Sequence, residues 1–251
     1  MAEVINGILI REVETKNIMT KSSLPVGGYS VNPYVGCTHA CKYCYASFMK
    51  RFTGHTEEWG TFLDVKHWPE IKNPKKYAGQ RVVIGSVTDG YNPQEEQFGN
   101  TRKLLEQLIG SDADILICTK SDLVVRDIDL LKKLGRVTVS WSINTLDENF
   151  KNDMDSASSI ERRIAAMKQV YDAGIRTVCF VSPVFPGITD FEAIFERVRV
   201  SGTSACWPTA YGVRRIIPPD GRNRHKRLSE MTVVFICSKT KGGLFHERLF
   251  H

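Results

Sequence analysis

The sequence predicts an α/β fold: a parallel sheet made of repeated strand-helix units, closed or partly closed as a barrel. Two observations point to it. Short runs rich in Val and Ile alternate with stretches whose apolar residues recur every three or four positions. The strand-like runs are almost continuously apolar, as suits parallel strands covered on both faces. A third observation bounds the fold, because the alternation stops near Val198.

Taken in order, residues 1–28 read as a short polar N-terminal extension. Tyr29 to Val35 is an extended segment that leads into a cysteine-rich loop. The next strands are expected at Arg81–Val87, Asp114–Thr119, Arg136–Ile143 and Ile175–Val181, each bounded by polar or turn residues. Between them, Leu104, Leu105, Leu108 and Ile109, then Ile128, Leu131 and Leu134, then Ile160, Ile164, Met167 and Tyr171, each define the apolar stripe of an amphipathic helix. Gly135 and Gly174 stand where such helices stop. Asp190 to Arg197 is a last helix, so the barrel is expected over residues 29–198.

Beyond it the composition changes. Pro208, Pro218, Pro219 and the run Gly221 to Arg227 support no amphipathic period, and only Met231 to Cys237 reads as a strand. Residues 199–251 are therefore expected as an irregular basic tail that replaces a regular final strand-helix unit. Two accounts compete: a poorly ordered appendage, or an altered reading frame. The second is favoured because the pattern stops where another strand is due. Translating the source DNA in all frames decides between them.

Composition narrows the class. A chain of 251 residues that is 42% hydrophobic can bury a sizeable core. No apolar run approaches the roughly 18 residues of a membrane span. Met1 to Arg11 lacks the basic-then-apolar order of a secretory signal, so a soluble, cytoplasmic protein without a membrane partner is expected. The net charge is +6, but residues 199–251 hold ten Lys or Arg against three acids, leaving 24 basic and 25 acidic groups for the rest. The body of the protein thus carries no general footprint for a polyanion. A nucleic-acid module using Arg214 to Arg227 remains a runner-up that deletion of the tail would test.

Seven cysteines form an odd set, and three of them, Cys37, Cys41 and Cys44, fall within eight residues. That clustering indicates metal in a reducing compartment rather than disulfides. Cys118, Cys179, Cys206 and Cys237 are isolated, and the first two lie in apolar runs where a thiol acts as a small hydrophobe. Zinc wants four ligands and would have to recruit His39 or His55, since no second cysteine pair exists. A cubic iron-sulfur cluster held by three thiolates instead keeps one iron open for a small molecule.

The loop Cys37-Thr38-His39-Ala40-Cys41-Lys42-Tyr43-Cys44 has the C-x-x-x-C-x-x-C spacing of the radical S-adenosylmethionine (SAM) superfamily. With Asn32 to Gly36, Gly85-Ser86-Val87-Thr88-Asp89, Thr119-Lys120-Ser121 and Arg126-Asp127-Ile128-Asp129, the chain resembles the spore photoproduct lyase-related branch from about Val31 to Arg197. It is most similar to a group encoded as paired radical proteins on mobile elements. The resemblance implies a partial barrel of radical SAM type, a [4Fe-4S] cluster on Cys37, Cys41 and Cys44, and S-adenosylmethionine on its open iron. It also implies an external one-electron reductant of flavodoxin or ferredoxin type and a paired radical SAM protein as partners.

Ser86, Thr88 and Asp89 are then expected at the amino group of S-adenosylmethionine, Lys120 and Ser121 at its carboxylate, and Ser142 at the ribose. Arg162 or Arg163 is an alternative from a helix. Tyr43 and Tyr45 shield the cluster or relay a radical, shielding being favoured, and His39 stabilises the loop. All these motifs follow strands at their C-terminal ends, where a parallel barrel gathers its loops around a ligand. The activity implied is reductive cleavage of S-adenosylmethionine to a 5′-deoxyadenosyl radical that abstracts hydrogen from an unknown substrate. The alternatives are repair of a DNA photoproduct and a cluster-binding protein without turnover. Repair is the weaker, because the namesake lyase uses a cysteine where this chain has Gly-Ser-Val-Thr-Asp.

Overall fold

The computed structural model describes residues 2–22, 27–200 and 205–207. Along the chain come β1 (Ala2–Ile5), β2 (Ile8–Glu14), β3 (Thr20–Lys21), β4 (Tyr29–Val31) and β5 (Tyr34–Val35). A 3-10 helix over Tyr45–Phe52 precedes β6 (Phe62–His67) and β7 (Arg81–Ile84). Then follow α1 (Glu95–Phe98), α2 (Asn100–Leu108), β8 (Asp114–Thr119), α3 (Ile128–Leu131) and β9 (Arg136–Ser142). The remainder is α4 (Glu148–Met154), α5 (Ile160–Asp172), β10 (Arg176–Phe180), α6 (Phe191–Val200) and β11 (Ala205–Trp207).

The main sheet has the order β11-β10-β9-β8-β7-β4-β3. It is parallel from β4 to β11, with β3 antiparallel at the edge. This is the expected α/β architecture as an open, partial barrel. Asp114–Thr119 is a strand over the whole span read from sequence, and the other three are trimmed at their ends. Helix starts follow local chemistry. Asp147 accepts hydrogen bonds from the amides of Asn149 and Phe150 ahead of α4, and Ser159 accepts one from Arg162 ahead of α5.

The two covered faces of the sheet differ in what they carry. Register places Val82, Ile84, Ile115, Ile117, Val139 and Trp141 on one face, where they join Leu104, Leu105, Leu131, Ile160, Ile164 and Met167 in the principal core. The other face carries Val83, Leu116, Cys118, Ser140, Ser142 and Val178. A barrel wall needs helices only outside, and its inner face can stay polar where a ligand is to sit. Cys179 is buried as expected, but Cys118 is half-buried on the inner face.

Residues 1–28, read as a polar extension, include a folded hairpin. β1 and β2 pair antiparallel, β2 pairs parallel with β6, and β6 pairs antiparallel with β5, forming a second sheet. Ile10, Tyr34, Leu63 and Val65 make its small core. At the other end, β11 adds to β10 in parallel past the point where the sequence pattern breaks. No helix follows β11 among the described residues, and Met231 to Cys237 lies outside them.

Candidate functional site

The cysteine loop leaves β5 and makes two consecutive turns, with the amide of Ala40 on the carbonyl of Cys37 (3.2 Å) and that of Cys44 on Cys41 (3.0 Å). Two glycines seat it on neighbouring backbone. A side chain at Gly36 would lie 2.4 Å from the carbonyl oxygen of Phe62, and one at Gly60 would lie 2.5 Å from the Cβ of Ala40. Both also have positive φ, +88° and +108°.

Further ties draw the loop onto the strand ends. Thr88 donates to the carbonyl of Gly36 (2.5 Å), and Thr38 to the side chain of Gln94 (2.5 Å). The amide of Lys42 donates to Met154 (2.9 Å), and that of Ser156 to the carbonyl of His39 (2.8 Å). His39 Nε2 lies 3.0 Å from Asp89, which fits its expected part in stabilising the loop.

Asp89 is the hub. Its buried carboxylate also takes the hydroxyl of Thr119 (2.9 Å) and the amides of Tyr91 (2.9 Å) and Lys120 (2.7 Å). Burial alone would raise its pKa, but His39 and these amides outweigh that and bring it to about 2. An ionised Asp89 therefore staples the cysteine loop to the ends of β7 and β8.

A second buried cluster stands across the loop. Tyr43 donates to Asp155 (2.8 Å), which also binds Arg163 (2.9 Å). Arg163 is 1% exposed and donates to the carbonyls of Ser142 (3.1 Å) and Ser158 (2.7 Å). Arg163 is thus a strut between β9 and the loop before α5, while Arg162 pairs with Asp122 at the surface. Asp155 escaped the sequence reading because no motif surrounds it. Only the folded chain brings it to Tyr43.

The six residues expected around S-adenosylmethionine separate into two groups. Ser86 shares its hydroxyl with Ser30 (2.5 Å) and Asn32 (3.1 Å). Thr88 and Asp89 are engaged as above, and Ser121 accepts the amide of Leu123 (3.1 Å). Lys120 and Ser142 differ, since neither the ammonium nor the hydroxyl hydrogen-bonds a described residue. The ammonium lies 5.6 Å over the ring of Tyr43. Burial works against its charge, but Cys41 and Asp155 raise its pKa overall.

Tyr43 is 7% exposed and packs edge-on against Phe185 (5.5 Å). Tyr45 is 55% exposed and rests its phenol on the carbonyl of Ser86. Cys118 and Ser140 sit side by side in register on the same inner face.

Among the described residues no three His, Cys, Asp or Glu side chains converge on one metal position. The three thiols of the loop are a donor set that a cubic cluster can use, each on its own iron. Burial pushes the Cys37 thiol up, and Asp89, Cys41 and Cys44 push it further. Burial likewise takes Cys41 up to about 12, although Lys120 opposes the rise. Thiolates so close together need a shared cationic centre to be stable.

Residues 31–198 match the model of the radical SAM superfamily. The chain belongs to this superfamily. An uncharacterised protein of Methanocaldococcus jannaschii is 39% identical over 194 residues, spanning 76% of this chain and 74% of that one. A radical SAM Nalpha-GlyT isomerase of Pseudomonas phage M6 is 26% identical over 186 residues, 72% of this chain and 37% of that protein. Among solved structures, a spore photoproduct lyase mutant with bound AdoMet and dinucleoside spore photoproduct aligns with a TM-score of 0.59 at 16% identity. That alignment covers 83% of this chain and 60% of the lyase, and shows a shared fold. Among the described residues no helix is long and apolar enough to cross a membrane.

Proposed function

We propose that this chain is a radical SAM enzyme in which Cys37, Cys41 and Cys44 hold a [4Fe-4S] cluster whose open iron binds S-adenosylmethionine. When bound, this pair supplies reductive cleavage of a carbon-sulfur bond, giving methionine and a 5′-deoxyadenosyl radical that takes hydrogen from the substrate. The observation that carries the reading is the seating of the three-cysteine loop at the C-terminal ends of parallel strands, beside a lysine ammonium and a serine hydroxyl that hydrogen-bond no described residue.

The residues then have distinct tasks. Lys120 places a charge for the carboxylate of S-adenosylmethionine, and Ser142 offers a hydroxyl to its ribose. Asp89 holds the backbone of Lys120 and the ring of His39 in place rather than reaching the amino group itself. Ser86, Thr88 and Ser121 shape the same wall through their own loops. Tyr43, buried between Phe185, Lys120 and Asp155, shields the cluster and keeps water from it. Tyr45 covers the outer side less completely.

The electron comes from an external carrier of flavodoxin or ferredoxin type in the cytoplasm, and a paired radical SAM protein is the proposed partner. Photoproduct repair is supported by the shared fold alone, and the Gly85–Asp89 segment offers no thiol for it.

The test is anaerobic reconstitution, reduction and addition of S-adenosylmethionine. Formation of 5′-deoxyadenosine is expected. A fully loaded, reduced cluster that yields none makes the chain a binding protein without turnover. An ultraviolet-irradiated dinucleotide then tests repair, and an unchanged lesion excludes it under those conditions.

A further inference from the structure

The 3-10 helix Tyr45–Phe52 starts on the residue after Cys44. It buries Ala46 and turns aromatic rings outward: Phe52 is 74% exposed, Tyr45 55% and Phe48 41%. Phe48 and Phe52 meet edge to face with centroids 6.4 Å apart, so they form a joined apolar surface rather than scattered side chains.

The charges on the helix and just before it, Lys42, Lys50 and Arg51, are basic, with Glu57 and Glu58 following in the next loop. Lys42 and Arg51 are exposed, and neither makes an ion pair with a described residue. Lys50 reaches only the carbonyl of Thr56, at 3.3 Å. From Thr15 to Thr56 the chain carries Lys16, Lys21, Lys42, Lys50 and Arg51 and no Asp or Glu. Outside this segment the body up to Val198 holds 19 basic and 25 acidic groups, so the cluster-bearing segment stands out as positive.

We infer that the aromatic and basic surface of Tyr45–Phe52 is the docking face for a small acidic one-electron carrier protein. The inference rests on the radical SAM reading and names where its electron enters. In the transfer the carrier is oxidised by one electron, the cluster is reduced by one, and no atom changes hands. A donor must approach the cluster without filling the substrate chamber, and Cys44 lies at the root of this surface.

A compact apolar centre with a charged edge matches the small, transient contacts of electron-transfer pairs. Opposite charge on the carrier speeds encounter and fixes orientation. A nucleic acid would call for a longer row of cations to neutralise its phosphates.

The test uses the full chain with its reconstituted cluster and two reductants, reduced flavodoxin and dithionite. In the double variant Lys50→Glu/Arg51→Glu, reduction by flavodoxin is expected to slow at least tenfold at low salt and to lose most of its salt dependence. Reduction by dithionite is expected to hold its rate. Phe52→Ser should slow the flavodoxin reaction without changing net charge. Arg51 and Phe52 are exposed and Lys50 is half-buried, and circular dichroism checks that the fold is kept.

Unchanged flavodoxin rates in both variants overturn the inference and leave the radical SAM reading standing. So does equal slowing with both reductants, or loss of affinity for a labelled single-stranded oligonucleotide with unchanged flavodoxin rates. A wild-type chain that assembles no cluster overturns both the inference and the reading beneath it.

Discussion

The two faces of the parallel sheet differ in one buried charge: the helix side closes all of its own, and the inner face leaves Lys120 open. On the helix side, Glu95 and Asp127 are fully buried and saturated. Arg126 binds Glu95 at 2.7 Å and Asp127 at 2.8 Å, while Arg102 binds Asp127 at 2.8 Å. Tyr34 and the amide of Thr101 complete the shell of Glu95. On the inner face, Lys120 stands among Cys41, Tyr43 and Asp155 with no hydrogen bond to a described residue. A closed set of ion pairs ties α1, α2 and the start of α3 together, and a charge left open near the cysteines is available to a ligand. Burial alone does not separate the two roles; saturation does.

The largest effect that sharpens this contrast is on the inner face. Cys41→Ala should abolish iron loading and 5′-deoxyadenosine formation altogether, while the melting temperature of the metal-free protein moves by only a few degrees. Iron analysis, product assay and thermal melting together check it.

On the helix side, Arg126→Ala should behave in reverse. It strips Glu95 of its cation and should cost about 3–5 kcal/mol in denaturant unfolding. The fraction that remains folded should bind S-adenosylmethionine with unaltered affinity, and a weakened affinity would break the contrast.

Lys120→Met comes next. Losing a charge-assisted contact of about 1.5–3 kcal/mol should weaken S-adenosylmethionine binding to the reconstituted protein roughly tenfold to hundredfold by calorimetry, with little change in unfolding.

The smallest effect belongs to Asp89, which is saturated like Glu95 but sits on the cofactor side. Its folded pKa of about 2 lies below the ordinary carboxylate value of 3.8. The resulting stability, about 2 kcal/mol, is present above pH 4 and is lost as the pH falls towards 2. Urea unfolding across that range should show the loss in wild type and a flatter profile in Asp89→Asn.

Much of this was legible in the sequence, because it is local. The strands announce themselves as Val and Ile runs such as Ile115 to Ile117, and the cysteine spacing needs only eight residues. What sequence could not supply is direction. Thr88, Asp89 and Ser121 do lie at strand ends, but their side chains bond to protein, a choice made by the neighbouring strand and loop.

Nor could it supply closure over distance. Tyr43 and Asp155 are 112 positions apart, and no pattern near either one names the other. The hairpin β1–β2 was hidden for a similar reason: its alternating Ile8, Ile10 and Glu12 make sense only beside β6, which itself alternates buried apolar residues with Asp64 and Lys66.

Gly36 and Gly60 bind the fate of the cysteine loop to that second sheet. Each is a point where any larger residue must push the loop off Phe62 or off its own turn at Ala40. With the proposed cluster bound, its uptake and the order of β6 would be linked equilibria, and whatever strengthened one would strengthen the other by the same free energy. Amide hydrogens in β2 and β6 should exchange more slowly once the cluster is loaded. The small sheet would then serve as a remote gauge of the proposed cluster's occupancy.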